Sequence, residues 1–152
     1  MTTVLGQLAN TGAFLGFGSS FTGVLGIGGN ITLGPTIADY AFVAPRDGTI
    51  TSLAGFFSTT AAVTLLSTVE VNFQIYTAPA GSNVFSPVGT VLTLTPALGP
   101  IIAIGNTASG ITAEAVPVTA GEKILLLVYT DAIGVDIASV TTGFASAGIS
   151  IN

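Results

Sequence analysis

Residues 63–76 read VTLLSTVEVNFQIY, and their alternation decides the fold. Val63, Leu65, Val69, Val71, Phe73 and Ile75 fall on one side of an extended chain, while Thr64, Thr68, Glu70, Asn72 and Gln74 fall on the other. Successive side chains of a strand point to opposite faces, so the stretch predicts one long strand with an apolar side and a wet side. No window of the chain repeats apolar residues at helical spacing between caps. The chain is built of strands.

The segments on either side continue the pattern. VLTLT (91–95) alternates leucine with threonine, and ITAEAVPV (111–118) is expected to change face or bulge near Pro117, which cannot donate to a central ladder. KILLLVY (123–129) is apolar on both sides and predicts a fully buried central strand, while FASAGISI (144–151) supplies a closing strand. Turns are expected at PAGSN (79–83), ASG (108–110), TAGEK (119–123) and DAIG (131–134). The glycine-rich start, TGAFLGFGSSFTGVLGIGGNITLG (11–34), reads as edge strands or a subunit-contacting arm. Short strands cut by such turns indicate an all-β antiparallel sandwich or barrel, with residues 1–152 forming a single domain.

Arg46, the one arginine, stands in FVAPRDGTI (42–50) between two apolar runs. Pro45 presets φ for a turn, Asp47 can bond its own backbone, and Gly48 is free to take a positive φ. That makes Arg46 a corner residue, solvated or paired at an interface.

Composition narrows the function. Of 152 residues, 6% are charged and 49% are hydrophobic, with a formal net charge of −5. Two cations cannot follow a phosphate track or anchor an anionic membrane, so neither nucleic acid nor a lipid surface is an expected partner. No cysteine and no histidine are present, which removes thiolate chemistry, disulfides and the commonest general base and metal ligand. The charge-free stretch from Val71 to Ala113 is broken by prolines and glycines and holds no apolar run long enough for a spanning helix. An outer-membrane barrel would want aromatic girdles, against 8% aromatics here. The opening MTTVLGQLANTG has neither the basic nor the apolar region of a signal peptide.

The chemical candidates are few. Asp131 and Asp136 could bracket a cation or act as acid and base, but read first as turn residues. Glu122–Lys123 reads as the end of a turn that keeps a strand edge soluble, ahead of a buried lysine nucleophile. GFGSSFTG (16–23) and GIGGN (26–30) lack the lysine and helix of a phosphate loop, and Asn30–Ile31–Thr32 matches a glycosylation sequon. No catalytic, cofactor-binding or metal-ligating residue is assigned, no cofactor is expected, and the chain is not read as an enzyme. The excess of apolar residues instead predicts a face buried against copies of the chain itself.

Four strings point further: TGAFLGFGSS (11–20), FVAPRDGTITSLAGFFSTTAAV (42–63), PVTAGEKILLLVY (117–129) and the terminal GFASAGISIN (143–152). Together they resemble the C-terminal domain of BclB-type exosporium glycoproteins, the collagen-like proteins of spore surfaces, in the same order along essentially the whole chain. The resemblance implies a homotrimeric jelly-roll head, similar to the tumour-necrosis-factor and C1q globular domains. Such a head is structural, sits at the spore surface on a filament, and meets other coat or filament proteins. The resemblance supplies no catalytic residues. This sequence holds no Gly-X-Y run, so the likeness is to the head alone. The competing expectation is an adhesive, receptor- or carbohydrate-binding fibre tip that uses loops 77–88 and 130–136.

Overall fold

The computed structural model describes residues 2–3, 10–16, 19–25, 29–34, 40–65, 67–133 and 139–152. Its strands are β1 (Thr2–Thr3), β2 (Asn10–Gly16), β3 (Ser19–Leu25), β4 (Ile31–Thr32), β5 (Phe42–Val43), β6 (Gly48–Thr59) and β7 (Val63–Thr64). They continue as β8 (Thr68–Ala78), β9 (Val84–Thr93), β10 (Ile101–Ile102), β11 (Thr107–Val118), β12 (Lys123–Ile133), β13 (Ser139–Val140) and β14 (Gly143–Ile151). The large sheet runs β3–β2–β12–β8–β9–β4, with β5 also on β12, and the small sheet runs β11–β6–β14. Every pairing within them is antiparallel. The expected all-β class is what the chain adopts.

The apolar side of the opening stretch forms the core. Val69, Val71, Phe73 and Ile75 of β8 meet Ile50, Leu53 and Phe57 of β6 and Ala108 and Val116 of β11, all buried in one cluster. Facing sheets of a sandwich stand about 10 Å apart, and the fit is local. A Cβ on Gly55 of β6 would lie 3.2 Å from the Phe73 ring and 3.1 Å from Leu94 Cδ2. The glycine makes room for the phenylalanine.

The expected wet side is covered in part: Thr64 is exposed and Thr68 and Glu70 are half-buried, whereas the two polar residues that follow are buried. Asn72 and Gln74 are 5% and 7% exposed, because a second cluster covers that face. Ile31, Leu33 and Phe85 pack there on Tyr76, Leu125, Leu127 and Tyr129, with Tyr40 and Ala41 alongside. The polar groups are satisfied within the protein, as burial requires. Thr93 Oγ1 donates to Asn72 Oδ1 at 2.6 Å, and Gln74 Nε2 donates to the Val88 carbonyl at 2.7 Å. Nor is the stretch one strand. It breaks after Thr64, where β7 pairs with β10 while β8 joins the large sheet, and Leu65 N donates to Pro100 O at 2.6 Å.

β12 is the central buried strand expected of KILLLVY, flanked by β2 and β8. The glycine-rich start supplies the β2–β3 hairpin at one edge of the large sheet. The turns at 79–83 and 119–123 form as read: Ser82 N donates to Pro79 O at 2.9 Å, and Gly121 takes φ 85°. Residues 108–110 do not turn; they belong to β11, and the reversal comes earlier, at 103–106. There Gly105 takes φ 84°, the Asn106 carboxamide accepts from Ala103 N at 2.6 Å, and buried Thr59 donates to Ala103 O at 2.7 Å. At DAIG, β12 continues through Ile133, and Gly134 lies outside the described residues. The expected irregularity near Pro117 is a bulge between Ala113 and Val116, on a strand that is an edge of its sheet.

Arg46 does occupy a corner, between β5 and β6. Its guanidinium donates to the carbonyls of Asp47 at 3.3 Å and Ile151 at 3.4 Å. Two details differ from expectation. The Asp47 carboxylate accepts from Ala120 N at 2.7 Å instead of from its own backbone. Gly48 has no positive φ; a Cβ there would lie 2.8 Å from Asn152 O, so the glycine admits the closing strand.

Candidate functional site

The sequence candidates are not brought together into a reaction centre. Asp131 lies within β12, directly opposite Glu70 of β8, and Asp136 lies outside the described residues. Lys123 begins the central strand, between Val43 and Ala78, and so guards no edge. Its ammonium donates to Asn83 Oδ1 at 2.9 Å and stands 5.3 Å from the centre of the Phe85 ring. Glu122 accepts from Thr119 N at 3.0 Å and so fastens its turn. Of the glycine strings, residues 19–25 form β3, whereas 17–18 and 26–28 lie outside the described residues. Asn30 and Thr32 are exposed around buried Ile31 at the start of β4. Among the described residues no group of three or more acids could hold a metal ion. Of the loops expected to form an adhesive site, residues 79–83 turn at one end of the β8–β12 pair, residues 130–133 belong to β12 at its other end, and 134–136 lie outside the described residues.

Among the described residues one titratable group is displaced. Burial pushes the Tyr129 phenol above its ordinary range, and the neighbouring Tyr76 and Asp131 push it the same way. A phenol whose folded pKa exceeds its unfolded one, about 10, gives stability that is intact below that value and is lost as pH rises past it. Thermal melts should therefore fall above about pH 10, and less steeply in Tyr129→Phe. An equal slope in both proteins would contradict the assignment.

Two bulges meet where the sheets face each other. Gly89, at φ 69°, lifts β9 out of register with β8, and Glu114 sits in the β11 bulge opposite. The Glu114 carboxylate accepts from Thr90 N through both oxygens, at 3.0 and 3.2 Å, while Gln74 satisfies the Val88 carbonyl. An open groove flanked by Thr77, Gly89, Glu114 and Glu122 runs along this clasp. A half-exposed charged acceptor on a backbone amide is worth about 1 kcal/mol after solvent screening. Glu114→Ala should lower Tm by about 2–4 °C and Glu114→Gln by less; equal melting of all three proteins would show that the clasp carries no load.

The outward face of the small sheet is the feature that sequence reading did not resolve. Residues 52–58 of β6, 107–113 of β11 and 144–150 of β14 contain no charged residue. Their register sets Ile111 opposite Ala54, Ser109 and Ser146 on either side of Phe56, and Phe144 opposite Ser58. Ile111, Phe56 and Phe144 thus form a diagonal across the sheet, 78%, 42% and 73% exposed. Serine, threonine, alanine and glycine surround it, and the Ser52 and Ser150 hydroxyls are hydrogen-bonded at one end.

The chain is similar to a collagen-like protein. One such protein is Collagen-like protein 1 of Acanthamoeba polyphaga mimivirus, 32% identical over 154 residues. The match takes in 96% of this chain but 16% of that protein, so the chain spans a small part of its relative's length. No family model matches the chain, and no solved structure matches it.

Proposed function

We propose that this chain is a structural, non-enzymatic head domain of a collagen-like surface protein, and that its work is to join with two further copies into a trimer. The similarity to a collagen-like protein along 96% of the chain carries the reading. A head of this kind holds three stalk chains in register, so that a collagen triple helix starts from aligned ends instead of meeting by diffusion. The composition suits that work. A trimer would carry three times the chain's formal charge of −5, enough to keep heads apart, while apolar faces close against one another. With no cysteine, no histidine and one methionine, little in it oxidises or titrates near neutral pH, which fits long exposure on a spore or particle surface.

The resemblance to BclB-type heads makes the expected setting the spore surface and the expected strand path a jelly roll. The viral relative widens that setting beyond spores. The test is direct. Fused to a Gly-X-Y segment too short to trimerise stably alone, the chain should raise the temperature at which the triple-helical circular dichroism signal melts and speed its recovery after heating. A fused segment that melts and refolds like the free one would contradict the proposal.

A further inference from the structure

We infer that the outward face of the small sheet, centred on the Ile111–Phe56–Phe144 diagonal, is the surface on which a second copy of this chain seats. The inference rests on the self-association proposed above and names where it happens.

Charge selects the occupant. The described acids lie elsewhere: Asp47 at the β5–β6 corner, Glu70 and Asp131 on the far face of the large sheet, Glu114 in the clasp and Glu122 in the 119–123 turn. Two copies, each with a formal charge of −5, repel wherever these groups approach one another. The small-sheet face lets two copies meet without bringing the described acids together. A cationic partner would be drawn to the acids and away from this face. A polar partner would leave three large apolar side chains against water or its own polar groups.

The shape agrees with the charge. Ile111 and Phe144 project from the two outer strands while Phe56 fills the middle one, and the remaining positions are small. Gly148, opposite Ala54, has nothing within 4 Å of where a Cβ would stand, leaving a shallow seat beside the diagonal. Buried aromatic and aliphatic anchors set among small, nearly neutral contacts are the usual energetic plan of a stable interface. In a trimer the three faces turn toward a common axis, each diagonal packing on its neighbours.

The experiment compares solution mass for the full chain, Ile111→Asp, Phe144→Asp and Ile101→Asp, with circular dichroism to establish folding. Ile101 is 79% exposed but lies in β10, off this sheet, and serves as the control. All three sites are exposed, so the variants should fold; Ile111→Ser is a milder backup. The expected result is a wild-type oligomer of the 15.0 kDa chain, an unchanged Ile101 variant, and Ile111 and Phe144 variants dissociating at least tenfold more readily. A wild-type dimer that Ile111→Asp splits would keep the face and overturn the threefold arrangement. An oligomer indifferent to both face variants, or equally broken by Ile101→Asp, would overturn the face and leave self-association standing. A monomeric wild type would remove both. Face-dependent binding of that monomer to phosphatidylcholine vesicles would identify a lipid occupant instead.

Discussion

Phe73→Ala should cost about 3–5 kcal/mol, the range for emptying a large aromatic site in a close-packed core. Phe73 is fully buried between the sheets, paired with Val128 on one side and Leu92 on the other, and its ring fills the space above Gly55. Gly55 has no side chain to lean into the void and its backbone is fixed in two ladders, so the cavity cannot collapse. For a chain of this size the loss lowers Tm by about 10 °C or more. Phe73→Leu, which keeps most of the volume, should lose less than half as much. Melts must be compared at one protein concentration, because association stabilises the folded state by mass action. Near-equal melting of Phe73→Ala and the wild type would mean that the two sheets do not pack as described.

Gly143→Ala should be the most damaging addition of a single methyl group in β14. A Cβ at Gly143 would collide with the Ser58 carbonyl oxygen and with the ring of Phe57. Neither can yield cheaply: the carbonyl belongs to β6 in the middle of its sheet, and Phe57 is 1% exposed in the core. Overpacking of this kind costs about 1–3 kcal/mol. Gly148, in the same strand, meets nothing within its own chain, so in the dissociated chain Gly148→Ala should stay within about 0.5 kcal/mol of wild type. Matching urea midpoints for the two variants would contradict the register of β14 on β6.

The parts of this fold that the sequence discloses are those set by local pattern. KILLLVY is apolar on both sides because β12 has a cluster on each face, and TAGEK turns because Gly121 takes a left-handed φ that costs glycine little. The parts it conceals depend on distant neighbours. Alternation at 68–76 reports polarity rather than exposure, and nothing in those residues announces that Ile31, Leu33 and Tyr40 will cover Asn72 and Gln74. ASG at 108–110 has the residues of a turn, yet Gly110 lies against Leu92 in a place where a Cβ would approach its side chain to 3.0 Å. Glycine there serves packing. The candidate face is legible as a lack of charge in three separate strings, but only the register of β11, β6 and β14 aligns Ile111, Phe56 and Phe144 into one diagonal.

Sedimentation equilibrium of the untagged chain at tens of micromolar reads the central claim, that these strands complete their burial against sister chains. Three chains of 15.0 kDa give a particle of 45 kDa, and that mass is the predicted result. A particle of 15.0 kDa that stays folded and soluble at the same concentration would contradict it.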